Sequence, residues 1–138
     1  MEQDPMLPRI LIVEDEILIA WSLASTLHHL GFEIRVVDSG EQAISMLSST
    51  PIDLVIADIE LQSIDGYEVA AVAKGHHPSI PVIMISALRD SSENRPPNKS
   101  CVDSFIEKPF DLHEVSKQVE QLLRRNHSVP DDSNHEVR

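Results

Sequence analysis

The chain has 138 residues, of which 41% are hydrophobic, and this fits one domain with a sizeable core. Its formal net charge of -12 argues against a nucleic-acid surface, because DNA affinity depends on Lys and Arg neutralising phosphates. No apolar stretch is long enough to span a membrane, and residues 1–8 lack the features of a signal peptide. We therefore expect a cytoplasmic protein whose partners are proteins or cations, with no nucleic acid and no membrane. The single cysteine, Cys101, agrees with a reducing compartment.

Short β-branched runs alternate along the chain with amphipathic segments, a pattern typical of βαβ units and a parallel sheet. Five strands are predicted, over residues 9–13, 33–38, 53–57, 81–85 and 103–106. Helices are predicted after Asp15 and over residues 40–47, 66–74 and 112–124. The predicted fold class is therefore α/β, a doubly wound (βα)5 chain with a five-stranded parallel sheet.

The first helix is predicted to begin at Asp15, a good N-cap, and to end at Gly31, a good C′ residue. One face of this helix should cover the sheet, and it carries Ile19, Ala20, Leu23, Leu27 and Leu30. The last helix should turn four residues inward: Leu112, Val115, Val119 and Leu122.

Two segments depart from this regular pattern. Residues 89–100 offer no apolar face and contain Pro96-Pro97, so the fourth helix should be atypical, a loop with at most one helical turn. Residues 126–138 are polar and without periodicity, which predicts a disordered tail. The predicted organisation is an N-terminal extension over 1–8, one domain over 9–125, and this tail.

Charged residues stand at the ends of several predicted strands. Asp58 ends the largely apolar run 52–57, Glu14 and Asp15 end the first strand, and Lys108 follows the last. The carboxyl ends of parallel strands meet at one edge of the sheet, so these side chains should converge. A lone acid at a strand end is often only a helix cap or a solvated loop residue, but the shared register of these residues favours a site.

Three carboxylates that lie close together repel one another unless a cation joins them. Mg²⁺ prefers oxygen ligands and usually completes its octahedron with phosphate oxygens, so the acids predict phosphoryl chemistry at Asp58. A carboxylate can itself be the nucleophile and form an aspartyl phosphate. Lys108 would then neutralise phosphoryl charge, and the Ser86 hydroxyl at the end of the fourth strand would donate a hydrogen bond.

These residues match a known family: the chain resembles the receiver domain of bacterial two-component response regulators over about residues 9–125. The matching pieces are IVEDE at 12–16, DIEL at 58–61, SIDG at 63–66, ISA at 85–87 and FIEKPF at 105–110. The resemblance implies a flavodoxin-like fold and a phosphorylation switch that catalyses only its own phosphorylation and dephosphorylation. Since no output domain follows, we expect either a single-domain response regulator or phosphorelay shuttle with output by protein–protein contact, or one domain of a longer protein.

The resemblance further implies roles for individual residues. Asp58 would accept a phosphoryl group from a histidine kinase or a histidine phosphotransfer protein. Mg²⁺ would be held by Glu14, Asp15, Asp58 and the backbone carbonyl of Glu60. Ser86 and Phe105 would form the switch pair, although an aromatic residue in a strand is often plain core. The Lys108–Pro109 bond would be cis, as X-Pro bonds alone commonly are.

One departure from the family pattern lies next to the acceptor. Position 62, usually proline in such domains, is Gln62 here, so the loop after the third strand should be looser or differently shaped. Together with the weak fourth helix, this predicts an unusual output surface.

Three other functions were weighed against the same residues. A flavodoxin-like electron carrier is excluded, because its phosphate-binding loop would coincide with the acids at 14–16. A phosphohydrolase of the haloacid-dehalogenase type carries its nucleophile on the first strand, with a second Asp two positions on, whereas Asp58 follows the third strand and is followed by Glu60. A non-phosphorylated receiver-like interaction module stays open as an alternative, as does an aspartyl-phosphate phosphohydrolase.

The outer side of the first helix predicts a partner surface. Ile17, Leu18 and Trp21 lie there, close to the acids, and tryptophan is enriched at interface hot spots. We expect these three residues, with Pro109, to dock the kinase or phosphotransfer protein. Two alternatives are a homodimer through the same surface, and Trp21 folded onto the neighbouring helix surface.

Overall fold

The protein is described by a computed structural model, which covers residues 7–87 and 101–135, with side chains through Arg125. Its strands are β1 (Arg9–Val13), β2 (Glu33–Val37), β3 (Leu54–Asp58), β4 (Val82–Ser86) and β5 (Ser104–Glu107). Its helices are α1 (Ile17–His29), α2 (Gly40–Ser49), α3 (Gly66–His76) and α4 (Leu112–His135). The predicted α/β class and the five predicted strands are confirmed, with strand bounds shifted by at most one residue.

All four strand pairings are parallel, and the sheet order is β2-β1-β3-β4-β5. The chain therefore starts in the interior of the sheet, moves out to β2, and returns to the other side of β1 as β3. The carboxyl ends of β1 and β3 border the point where the winding direction changes. In doubly wound sheets this is where ligands bind.

Alternate residues of each strand face opposite sides of the sheet, and each side carries its own core. In β1, Ile10 and Ile12 pack in the cluster that includes residues of α1 and α4, while Leu11 and Val13 pack in the cluster that includes residues of α2 and α3. Burial on both faces explains why the strands read as continuous apolar runs.

The start of α1 differs from the prediction. Its N-cap is Glu16 rather than Asp15, and no side chain caps it. The backbone N–H of Glu16 instead donates to the Glu14 carboxylate at 3.1 Å. The side chain of Asp15 is exposed and does not cap α1.

The end of α1 at Gly31 is confirmed. Gly31 has φ 103°, its N–H donates to the His28 carbonyl at 3.0 Å, and the Phe32 N–H donates to the Leu27 carbonyl at 3.2 Å. These two bonds form a Schellman motif. Leu30, predicted to face the sheet, is exposed, because it is the C-cap and lies beyond the last regular turn.

The other helices agree more closely with the sequence-based prediction, except at the end of the chain. Asp65 caps α3 by accepting from the Glu68 N–H at 3.0 Å. In α4, three of the predicted inward residues are buried, namely Val115, Val119 and Leu122, whereas Leu112 is half-buried.

Helix α4 continues through residues 126–135 to His135, where the sequence predicts a disordered tail. The predicted atypical fourth helix falls on residues 88–100 and lies outside the described residues.

The helices between residues 7 and 135 that the structure describes include none that is both long and apolar enough to cross a membrane.

Two glycines offer a matched test of the Schellman motif. A Cβ at Gly31 or at Gly75 would meet nothing within 4 Å, but Gly31 has a left-handed φ and Gly75 lies in α3. Gly31→Ala should lower the free energy of unfolding by about 1 kcal/mol, because L-residues are strained at this φ. Gly75→Ala should raise it by about 0.5 kcal/mol, since alanine is the better helix former. Urea denaturation measures both changes, and a Gly31→Ala protein as stable as Gly75→Ala would contradict the assignment.

Candidate functional site

The predicted acids converge at the carboxyl edge of the sheet. Asp58 is the last residue of β3 and 3% exposed, Glu14 follows β1 and is 2% exposed, and Asp15 beside it is exposed to solvent. One carboxylate oxygen from each of these three residues lies within 4.8 Å of the others. The sequence therefore identified the three acids correctly as one group.

The backbone holds Asp58 closely in place. The N–H of Ile59 donates to the Ile85 carbonyl at 2.9 Å, which extends the β3–β4 pairing past the carboxylate. The N–H of Glu60 donates to Asp58 Oδ1 at 2.9 Å and fixes the orientation of that carboxylate. A Cβ at Gly66 would lie 2.5 Å from the Asp58 carbonyl oxygen, so only glycine lets α3 begin this close to the site.

The loop between Asp58 and α3 carries Gln62 where the family usually has proline. Its backbone turns tightly, with the N–H groups of Leu61 and Gly66 both donating to the Ile59 carbonyl, at 3.0 and 3.2 Å. Ser63 adopts a left-handed conformation with φ 64°. The loop therefore has a defined turn, and its shape includes a conformation that non-glycine residues rarely adopt.

Lys108 supplies positive charge to this group of acids. Its Nζ donates to Asp58 Oδ2 at 2.7 Å and lies 3.3 Å from Glu16 Oε1 and 3.7 Å from Glu14 Oε1. Burial alone would lower the pKa of Lys108, but the hydrogen bond and charge of Asp58, with the charge of Glu14, raise it overall. The following Lys108–Pro109 bond is cis, as the resemblance implied.

Glu14 is the most perturbed acid of the group. Burial raises its pKa to about 7, assisted by the negative charge of Asp58 and opposed by the Glu16 N–H and Lys108. Among the described residues, Glu14 Oε1 is buried and has no hydrogen-bond partner. An orphaned anionic oxygen beside two further carboxylates has the chemistry of a hard-cation site, so these residues fit a divalent metal ion.

Sequence reasoning missed the side chain of Glu60. Only its backbone carbonyl was singled out, and that role stays a prediction. Ser86 Oγ donates to Glu60 Oε2 at 3.3 Å, so the carboxylate folds back over the site. Burial and the neighbouring Asp58 raise the pKa of Glu60. Charge repulsion alone would turn the Glu60 carboxylate away from Asp58. No sequence pattern indicates that Glu60 bonds to Ser86.

Glu16 was also missed, although it is the nearest neighbour of the acid pair in the sequence. Its carboxylate reaches Lys108 from the N-terminus of α1. The sequence could have indicated Glu16, because it follows two acids on a loop and neighbouring acids often share a cation.

The predicted switch pair lies on neighbouring strands. Ser86 ends β4 and is buried, while Phe105 in β5 is 38% exposed, which is not the environment of a plain core residue. The Phe105 ring centroid lies 6.4 Å from that of Tyr67, with an interplanar angle of 53°. The switch role of the pair stays a prediction.

The predicted partner surface is exposed: Ile17, Leu18 and Trp21 have 81%, 78% and 66% of their surface accessible. Trp21 is therefore not folded down onto the helix surface. Leu18 and Pro109 line one hollow of about 570 Å³ beside Lys108, whereas Trp21 lines a second hollow of about 740 Å³ next to β2. The surface thus has two parts, and the first borders the acid group.

Acids at the opposite, amino edge of the sheet have a structural role. Asp53 Oδ2 accepts from the Arg9 N–H at 2.8 Å, and Asp103 Oδ2 accepts from the Val82 N–H at 2.8 Å and from Lys74 Nζ at 2.9 Å. These carboxylates satisfy backbone donors at strand starts. Position along the strand therefore separates structural acids from those of the site.

Comparison with known proteins places the chain in a family. A model of the response regulator receiver domain matches residues 10–120. The transcriptional regulatory protein QseB of Haemophilus influenzae is 36% identical over 126 residues, covering 88% of this chain and 57% of that protein. The DNA-binding response regulator MtrA of Mycobacterium bovis is 32% identical over 127 residues, covering 92% of this chain and 55% of that protein. The chain thus spans little more than half the length of these relatives.

Solved structures give the same result. The response regulator TrrA of Thermotoga maritima, in complex with Mg²⁺-BeF, matches with a TM-score of 0.75 at 32% identity, covering 84% of this chain and 99% of that chain. A receiver protein from Sinorhizobium medicae matches with a TM-score of 0.77 at 36% identity, covering 88% and 98%. A CheY-like receiver domain from Methanospirillum hungatei, with a TM-score of 0.82, 22% identity and coverage of 88% and 98%, supports the fold alone.

The doubly wound sheet with an acid group at the switch point defines a phosphoryl-accepting α/β domain. The chain belongs to the response regulator receiver family. It carries the phosphoryl-acceptor receiver domain of two-component response regulators, as the resemblance implied.

Proposed function

We propose that Asp58 is the residue that accepts the phosphoryl group, delivered from a phosphohistidine on a histidine kinase or a histidine phosphotransfer protein. One observation carries this proposal: Asp58 is a buried carboxylate that accepts from Lys108 Nζ and the Glu60 N–H, beside Glu14 and Asp15. These contacts hold a nucleophilic oxygen in a fixed orientation at the sheet edge. Such positioning is the main requirement of phosphoryl transfer.

The acid group is proposed to hold Mg²⁺ through Glu14, Asp15, Asp58 and the Glu60 backbone carbonyl. The orphaned Glu14 oxygen and the all-oxygen donor set support this assignment. When bound, the ion neutralises the charge that builds up between the carboxylates and the incoming phosphoryl group. TrrA, whose structure contains Mg²⁺-BeF, shows that a receiver of this fold accommodates such a group.

In the proposed transfer, an Asp58 carboxylate oxygen attacks phosphorus, the P–O bond forms, and the bond from phosphorus to the histidine nitrogen breaks. The histidine keeps the electron pair of the broken bond. Lys108, already 2.7 Å from Asp58, then pairs with a phosphoryl oxygen, and the Ser86 hydroxyl donates to another. Water later hydrolyses the acyl phosphate. Because the phosphoryl group is both attached to and removed from Asp58, the domain catalyses reactions only on itself.

Phosphorylation is proposed to shift the population of two conformations through Ser86 and Phe105. Ser86 ends β4 near the proposed phosphoryl site, and the half-exposed Phe105 ring has room to move on the sheet surface. Its present neighbour, Tyr67, begins α3 and would lose or change this ring contact.

The proposed docking surface for the phosphoryl donor consists of Ile17, Leu18, Trp21 and Pro109. The hollow lined by Leu18 and Pro109 also includes Lys108, so a partner seated there reaches the acid group. Self-association through the same surface is the alternative. We also propose a cytoplasmic location, and output by contact with another protein.

Asp58→Asn should abolish phosphotransfer from a phosphorylated kinase, because the amide keeps the shape of the side chain but lacks the nucleophilic oxygen anion. Transfer of labelled phosphoryl groups measures this. Asp38→Asn, an exposed acid after β2 at the same sheet edge, is the control and should behave like the wild type. Labelling of Asp58→Asn at the wild-type rate would refute the assignment.

Asp15→Asn should weaken Mg²⁺ binding at least about tenfold, since it removes one unit of charge a few ångströms from the ion. Isothermal titration calorimetry measures the affinity. Glu41→Gln, which removes an exposed charge in the first turn of α2, separates this local effect from the change in net charge. Equal Mg²⁺ affinity in Asp15→Asn and Glu41→Gln would exclude Asp15 as a ligand.

Trp21→Ala should slow phosphotransfer from the cognate kinase about tenfold at subsaturating receiver, as expected for the loss of an interface hot spot. The rate with a small-molecule phosphodonor should not change, since Trp21 lies outside the acid group. Leu30→Ala, an exposed apolar residue at the other end of α1, is the control. Unchanged transfer from the kinase would rule out Trp21 as part of the docking surface.

A further inference from the structure

The Glu60 side chain occupies space beside the proposed acceptor. Its own N–H donates to Asp58 Oδ1 at 2.9 Å, and its Oε2 accepts from Ser86 Oγ at 3.3 Å. The Ala87 N–H lies near the Glu60 carboxylate and lowers its pKa. The carboxylate therefore bridges from the end of β3 to the end of β4, over the edge of the sheet where Asp58 lies.

The two donors that Glu60 occupies are suited to another anion. A hydroxyl followed by a backbone N–H at the end of a strand is a small oxyanion site, and it lies at the same sheet edge as Asp58. A phosphoryl group on Asp58 would need these donors to spread its charge. Glu60 now satisfies them with a carboxylate.

We propose that the Glu60 carboxylate is a built-in substitute for the phosphoryl group, which competes with it for Ser86 and Ala87. This inference rests on the proposed role of Asp58 as acceptor. Modification of Asp58 then requires that Glu60 swings away from Ser86. Glu60 is thus a positioning residue that raises the threshold for the switch.

Charge repulsion allows the phosphoryl group to displace the Glu60 carboxylate. Ser86 holds the Glu60 carboxylate over the site, next to the negative charge of Asp58. A phosphoryl group adds more negative charge at the same place and takes the same donors. Both effects favour release of Glu60.

The test measures binding of beryllofluoride, a non-covalent phosphoryl mimic, to the protein with saturating Mg²⁺ by isothermal titration calorimetry. Glu60→Ala should bind the mimic about three- to tenfold more tightly than the wild type, the range that corresponds to one net hydrogen bond. Glu16→Gln removes a carboxylate that contacts Lys108 instead of Ser86, so it measures the effect of lost negative charge, including the release of Lys108, without freeing Ser86.

A double-mutant cycle separates competition from structural damage. In a Ser86→Ala background, Glu60→Ala should lose most of its gain, because the shared donor is absent. An equal gain for Glu60→Ala with and without Ser86, or a gain no larger than that of Glu16→Gln, would overturn the inference. Failure of the wild type to bind the mimic would instead contradict the proposed function, and that result is visible before any variant is compared.

Discussion

The hydrogen bond between the Lys108 ammonium group and the Asp58 carboxylate, 2.7 Å long, is the interaction on which the rest of the site depends. Burying a carboxylate costs free energy unless donors or an opposite charge replace the lost water. Lys108 provides this for Asp58, but it also lies within 3.7 Å of Glu14 and Glu16. One ammonium group thus faces three carboxylates, and the remaining negative charge makes this edge receptive to a divalent cation and resistant to an unaccompanied phosphate.

The parallel sheet brings this excess of negative charge to one edge, and its backbone pairing holds the acids there. Because β1, β3 and β5 all end at the same edge, acids that are distant in the sequence are brought together by backbone pairing and core burial rather than by mutual attraction. The tight approach of Gly66 to the Asp58 carbonyl further limits movement of the acceptor. At the amino edge the same residue type stabilises the fold, as Asp53 and Asp103 satisfy the first donors of β1 and β4.

Two features give the site a resting arrangement that phosphorylation can change. Glu60 and Ser86 are joined across the acceptor, and Phe105 rests against Tyr67 at the start of α3. Each contact joins two neighbouring segments and involves few atoms, so each contributes little free energy and can be exchanged for another. A switch needs such small differences, because a ligand shifts an equilibrium only by its differential affinity for the two states.

The sequence by itself determined the fold class, the convergence of Glu14, Asp15, Asp58 and Lys108, the exposed side of α1 and its end at Gly31. These features follow from local patterns, since residue alternation sets which face is buried and strand ends set which residues share an edge. Only the tertiary structure decided that the N-cap position of α1 is Glu16 rather than Asp15, that Leu30 is exposed, and that Glu60 bonds to Ser86. Such details depend on where loop backbones turn and which donors remain unsatisfied nearby, and both are set by contacts between segments far apart in the chain.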